Sequence, residues 1–296
     1  MKKITISIIS LLAIALNGCE EEIPIDQLNS YKEKLVINEV FNNSSPFSIQ
    51  ISTSKSAYND DNPEILESAS IAEISLKEDN NVIPLTYDGF TKTYYSQSVP
   101  QAGKNYSLLV RTNAYGNISS IGSLPENISN INSVWIENGG IDMQGNKSDL
   151  LKVTFKDNSN TKDYYKVNFM YYSELVDKFN AFDFMLSDIL SAVSTIKARD
   201  GGFLFSDDAF NGEIKTLTAV PPSGLVKTNT TYKYLITIEK LSKEYWKYYT
   251  SLEQYRGGAT GNSGTDLFRG AVVVYSNINN GLGIFAGSYI KADTLK

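Results

Sequence analysis

The chain has 296 residues and not one of them is histidine. That absence excludes a Ser-His-Asp triad, a Cys-His pair, an imidazole metal ligand and a histidine general base. Cysteine occurs once, at Cys19. No uncharged apolar run reaches the 18 or so residues that span about 30 Å of hydrocarbon; Ile4 to Leu16 is thirteen residues. Positive charge is also short, with 27 Lys and Arg against 33 Asp and Glu and a formal net charge of −6. A nucleic-acid binder needs a dense basic footprint, so no nucleic-acid partner is expected. Catalysis is left with carboxylates, lysine, tyrosine and serine, and the reading is of a protein that is not an enzyme. Packing is better supplied. Hydrophobic residues make up 42% of the chain and 19 residues are tyrosine, enough for a sizeable core, and the length points to two domains.

The amino terminus is organised as an address. Met1-Lys2-Lys3 is a short positive start, Ile4 to Leu16 is apolar, and Gly18 stands before Cys19. This is a signal-peptide pattern over residues 1–18. Leu16-Asn17-Gly18-Cys19 resembles the lipobox of bacterial lipoproteins, with Asn17 departing from the usual small or hydroxyl residue. The resemblance implies cleavage before Cys19 and lipidation of its sulfur and amine, which withdraws the only thiol from nucleophilic, metal-binding or disulfide chemistry. Each buried acyl methylene contributes about 0.8 kcal/mol, so one chain holds marginally and several hold durably. The membrane partner is then reached through Cys19 without a transmembrane helix. Glu20-Glu21-Glu22 is similar to the export signal that sends lipoproteins of Bacteroidetes-type bacteria to the exterior of the outer membrane; the alternative is a solvated charge run in a flexible tether, residues 19–33.

Beyond the tether the pattern is mainly β. Leu35 to Phe41 reads as a strand, and Phe47, Ile49 and Ile51 alternate with polar residues at the two-residue strand period. Ala72, Ile74 and Leu76 alternate, Glu78-Asp79-Asn80-Asn81 turns the chain, and Val82 to Tyr87 returns. Tyr94-Tyr95 and the Tyr106, Leu108, Val110 alternation follow. Six or seven short strands at this spacing predict an immunoglobulin-like antiparallel β-sandwich over residues 34–128.

Residues 129–296 predict a larger β-rich domain with two helices. Leu151, Val153 and Phe155 alternate, and Tyr164 to Tyr172 is an aromatic strand. Phe179, Phe182, Leu186, Ile189, Leu190 and Val193 fall at helical spacing, predicting a helix near 174–197. The Thr230 to Ile238 alternation predicts a strand leading to Ser242, a good N-cap for a second helix near 243–256. Ala271 to Tyr275 and Gly283 to Tyr289 read as closing strands paired around Asn277 to Gly281.

The candidate sites are few. Tyr245, Trp246, Tyr248 and Tyr249 cluster on the second predicted helix, where aromatic faces suit ligand stacking or, equally, packing. Ser206 to Gly212, SDDAFNG, gathers carboxylates that suit a hard cation, but adjacent Asp207 and Asp208 project to different sides if extended, and an acidic loop is the simpler reading. Ser-x-x-Lys at Ser52, Ser159 and Ser194 lacks the rest of the penicillin-recognising set, and the glycines of GLGIFAG lack the dinucleotide spacing. No catalytic residue, metal ligand or cofactor is expected.

The order of KLVINEV, GKNYSLLV, DYYKVNF, FSDDAFNG, ITIEKLSKEYW and SNINNGLGIFAGSY resembles domain of unknown function 4249, a family of Bacteroidetes outer-membrane lipoproteins. The resemblance implies an accessory role beside a TonB-dependent receptor in nutrient uptake at the cell surface. It supplies no catalytic residues. An adhesin or structural surface protein stays open, as does a carboxylate-dependent glycan hydrolase, which needs two acidic side chains about 5 to 9.5 Å apart.

Overall fold

The structure is a computed structural model that describes residues 32–55, 64–129, 131–182, 184, 196–224, 233–259 and 272–295. Strands dominate it. In chain order they are β1 (Leu35–Asn42), β2 (Ser48–Ile49), β3 (Ile51–Thr53), β4 (Ile71–Glu78), β5 (Asn81–Ile83), β6 (Thr86–Asp88), β7 (Thr93–Tyr95), β8 (Asn105–Thr112) and β9 (Gly116–Ser123). Then come β10 (Asn132–Ile141), β11 (Lys147–Lys156), β12 (Tyr164–Ser173), β13 (Lys178–Ala181), β14 (Ile196–Lys197), β15 (Phe203–Ser206), β16 (Ile214–Ala219), β17 (Tyr234–Leu241), the helix α1 (Lys243–Ala259) and β18 (Leu282–Leu295).

The largest sheet has the order β14-β15-β12-β17-β18-β1-β3, with β13 on the same edge of β12 as β15. Three smaller sheets accompany it: β10-β11-β16, β2-β7-β6 and β5-β4-β8-β9. Two large hydrophobic cores result, beside a small cluster of Ala198, Leu204 and Leu241. One gathers Leu35, Ile37, Phe41, Phe47, Ile49, Tyr106 and their neighbours, and takes in Ile278 and Phe285 from the far end of the chain. The other gathers Val153, Phe155, Tyr165, Phe169, Ile236, Ile238 and their neighbours, with Tyr289 and Leu295 packed against it. The final strand therefore serves both cores. Its first half runs parallel to β1, from Val36 beside Leu282 to Asn42 beside Ser288, and its second half runs antiparallel to β17.

The two-residue periods seen in the sequence become buried faces. In β1, Leu35, Ile37 and Phe41 are buried, and in β17 Tyr234, Ile236 and Ile238 are buried. The expected turn after Glu78 forms, with Asp79 at φ 50°. Apart from β13 and β14, which fall in the segment expected to be helical, four strands go unpredicted: β9, β10, β15 and β16; β9 and β10 are rich in serine, asparagine and glycine, so their alternation is faint.

Two expectations are corrected. The helix expected near 174–197 does not form where the chain is described. Tyr172 pairs with Phe179 across a tight reversal in which Asp177 has φ 50°, β13 then runs beside β12, and Ile196–Lys197 is β14. Of the apolar residues that suggested a helix, Phe182 instead enters the core, with Phe184 beside it; residues 183 and 185–195 lie outside the described set. Nor does the closing hairpin form among the described residues; Ala271 lies outside them. Residues 272–278 are irregular, and Asn279 bridges to Ser119 of β9 rather than to β18. Among the described residues there is one α-helix, and no helix is long and apolar enough to cross a membrane.

Candidate functional site

Where β12 and β17 lie side by side, their inward faces carry Phe169 beside Ile236 and Val167 beside Ile238, and then Tyr165 beside Lys240. The apolar stripe thus ends in a phenol and an ammonium, both buried. Three loops meet there. Asp157 follows β11, Asp163 precedes β12 and Asp207 follows β15, and each carboxylate offers an oxygen within 4.8 Å of the others. All three aspartates are buried.

The cluster is tied internally. Lys240 Nζ lies 2.6 Å from Asp163 Oδ2. The Tyr165 hydroxyl donates to Asp157 Oδ1, Gly212 N donates to Asp157 Oδ2 at 2.8 Å, and Asp163 N donates to Asp207 Oδ2 at 2.7 Å. Gly212 is required in that role, because its φ is +79° and a Cβ would sit 2.5 Å from the Ser159 side chain. Asp208 points the other way, exposed, pairing with Lys162 at 2.6 Å and accepting from Ser206 Oγ. The two aspartates lie in the turn after β15, closed by Phe210 N donating to Asp207 O (2.8 Å), and that turn rather than an extended segment sends their side chains to different sides.

Burial dominates the electrostatics. It pushes the Asp163 carboxyl above the ordinary aspartate range, although Lys240 opposes the shift. It pushes Asp207 up as well, reinforced by the charges of Asp157 and Asp163. It also raises the Tyr165 phenol, an effect that its bond to Asp157 reinforces. These three carboxyls, one of them paired with the Lys240 ammonium, are the group that could hold a metal ion here. The Lys240 ammonium already stands in the place of such a cation, and the phenol and two main-chain N–H groups occupy further lone pairs. Beside the cluster is a cavity of about 260 Å³ whose lining includes Glu126, Ser129, Asp157, Tyr165 and Lys240.

On the opposite face of the same sheet lies α1, which carries the predicted aromatics. Ser242 caps it, accepting Tyr245 N at its Oγ (3.3 Å) and Trp246 N at its carbonyl (2.9 Å). Tyr245, Trp246 and Tyr249 pack onto Ala198, Leu204 and Leu241 of the sheet side, and the Trp246 ring stacks on Tyr164 with centroids 4.9 Å apart. Tyr248 is half-buried. Between helix and sheet, Lys166 Nζ pairs with Asp200, lies 3.8 Å from Glu239 and sits 5.2 Å from the centre of the Tyr249 ring. Burial pushes Glu239 up while Lys166 pulls it down. Cys19, Glu20, Glu21 and Glu22 lie outside the described residues.

Residues 20–293 match a family described as Domain of unknown function (DUF4249). The chain belongs to that family. No curated protein matches it. In this DUF4249 chain the NINNGLGIF segment has a physical task, which is to weld β9 to β18. The Asn277 amide acts as a strand residue between them: its Nδ2 donates to Ile121 O (3.1 Å) and Phe285 O (2.8 Å), and its Oδ1 accepts Phe285 N (2.9 Å). Gly283, at φ +99°, lets β18 approach β1 so closely that a Cβ would lie 1.9 Å from Ile37 O.

Sequence reasoning singled out Asp207, read Tyr165 only as part of an aromatic strand, and missed Asp157, Asp163 and Lys240. One signal was available. In the period Tyr234, Ile236, Ile238 the next inward position is Lys240, and a charged residue at an inward position announces a buried partner.

Proposed function

We propose that this DUF4249 chain is a lipoprotein anchored through Cys19 at the outer face of the outer membrane, where it acts without catalysis as an accessory binding component of a TonB-dependent nutrient uptake system. The observation that carries the reading is the placement of the single thiol directly after the thirteen-residue uncharged run, followed at once by Glu20-Glu21-Glu22. A noncatalytic role is favoured by the lack of histidine and by the way the buried aspartates spend their lone pairs on Lys240, Tyr165 and main-chain N–H groups. On this reading residues 1–18 are the signal peptide, 19–33 the tether, 34–128 an immunoglobulin-like sandwich and 129–296 the larger β-rich part.

The test has two arms. Mass spectrometry of the native protein is expected to find the chain starting at an acylated Cys19, and protease applied to intact cells is expected to degrade it. An unmodified Cys19, or a chain that survives protease until the cells are lysed, overturns the anchor or the exterior address respectively. Detergent extraction is then expected to recover a TonB-dependent receptor with the chain. Repeated recovery without a receptor, together with loss of cell attachment on gene deletion, would replace the uptake role with that of an adhesin.

A further inference from the structure

The edge of a β-sheet is a row of unpaired N–H and C=O groups that recruits another strand unless the chain blunts it. This chain blunts nearly all of its edges. The β9 edge is plugged by Asn277 on Ile121 O, by paired main-chain bonds between Asn279 and Ser119, and by Asn280 Nδ2 on Asn117 O. The β3 edge is covered where Thr53 N donates to Glu64 O and Leu66 N donates to Ile51 O. The outer strand β16 contains Lys215 and runs into Pro221-Pro222, both of which discourage strand addition. β5, β13 and β14 are at most four residues long.

β10 is different. It has ten residues, and among the described residues it pairs only with β11 and no other main-chain group bonds to residues 132–136. That stretch contains no lysine, no proline and no charge, and it exposes Val134 and Ile136 at 42% and 39%. Beyond it the register shifts between Ile136 and Gly140, ending the regular strand.

The charge pattern indicates which strand fits. Each copy of the chain is acidic, so most pairs of faces repel, whereas residues 132–136 carry no carboxylate and the residue beside Val134 on β11 is Lys152. Two Lys152 ammoniums facing across a pair of β10 strands would be three inter-strand steps apart, about 14 Å, which is beyond the screening length of about 8 Å in physiological salt. Two-fold symmetry runs a strand antiparallel to itself, which is also the more favourable ladder. We propose that two copies of this chain associate through β10, edge to edge and antiparallel, so that the β16-β11-β10 sheet continues across a two-fold axis into the second copy. The contact is small and the dimer correspondingly weak, with dissociation in the micromolar range. The inference stands apart from the lipid anchor, although confinement to a membrane would raise the effective concentration of both copies.

The experiment uses the chain from residue 19 onward with Cys19→Ser, free of lipid. Sedimentation equilibrium is expected to show twice the monomer mass at about 100 µM. Ile136→Lys is expected to weaken association at least tenfold, while Ile214→Lys on the β16 edge leaves it unchanged. Because Ile136→Lys also touches the strand itself, a second arm introduces Asn132→Cys, Val134→Cys or Ile136→Cys singly. Mild oxidation is expected to give disulfide-linked dimers from at least one of these and none from Ile214→Cys. A monomer at about 100 µM with no cross-link from any of the three overturns the proposal. So does a dimer indifferent to Ile136→Lys, or one that cross-links equally well from Ile214→Cys.

Discussion

The two cores of the molecule handle buried acid in different ways. In the first, Glu39 shares its face of β1 with Leu35, Ile37 and Phe41, within an aromatic group in which Phe41, Phe47, Tyr106 and Phe285 contact one another. Among the described residues its bonded partner is Ser48 N, at 3.2 Å, and no cation faces it. Burial pushes its carboxyl up to about 7. In the second core Asp163, one of three clustered aspartates, is paired with Lys240, and hydroxyl and main-chain donors serve the other two. One core meets desolvation by keeping the proton, the other by supplying a counter-charge. A buried acid therefore does not by itself mark a site; its partners decide how much of the cost of burial is offset.

The strongest way to break this contrast is to remove the counter-charge. Lys240→Met leaves Asp163 buried without its ammonium and is expected to cost about 3 to 5 kcal/mol in urea unfolding near neutral pH. Adding Asp163→Asn to the same chain is expected to restore part of that loss, because the remaining group no longer needs a cation. If Lys240→Met is as stable as the parent, the aspartates are not held by this pair.

The second test sharpens the other side of the comparison. A carboxyl at about 7 when folded, against 4.5 when unfolded, binds more proton in the folded state between those values, so its contribution to stability declines as pH rises through that window. The full penalty, about 3 kcal/mol, is present above about pH 8 and absent below about pH 4. Glu39→Gln keeps an acceptor for Ser48 N and has no proton to lose. It is expected to match the parent within about 1 kcal/mol at pH 4.5 and to exceed it by up to about 3 kcal/mol at pH 8. Parallel stability curves for the two proteins across that range would show that Glu39 does not titrate there.

The contrast also explains what could be read from the chain alone. Strands with strict alternation of large apolar residues, such as β1, β8 and β17, were visible because one face of each is buried. The cap at Ser242 was visible because it is local. The helix expected near 174–197 failed because Phe179 and Phe182 satisfy a helical period and a hairpin equally well. The Asp157, Asp163, Asp207 and Lys240 cluster was hidden for a different reason. Its members come from four separate strands' ends, up to 83 residues apart between Asp157 and Lys240, and only sheet register brings them together. Glu39 sat on an inward position of β1, in plain view of the alternation, just as Lys240 did on β17. Charged residues at inward positions were thus the most informative signal in the sequence.

The smallest of the three effects probes the seam between the cores. β18 takes its place in the first core through Phe285, and the Asn277 amide fixes both main-chain groups of that residue while also holding β9 at Ile121 O. Asn277→Ala removes three bonds and leaves Phe285 N and Phe285 O without those partners, for an expected loss of about 2 kcal/mol. Asn277→Asp keeps the acceptor for Phe285 N but replaces the donor with a second acceptor facing two carbonyls, so it is expected to cost at least as much as alanine. Hydrogen exchange supplies the discriminating readout. If Asn277 welds the seam, protection falls at Phe285 and its neighbours in the β1–β18 ladder while the β12–β17 ladder, which lies in the other core, is spared. Equal loss of protection in both ladders would mean that the two cores unfold as one unit and that the amide is only one bond among many.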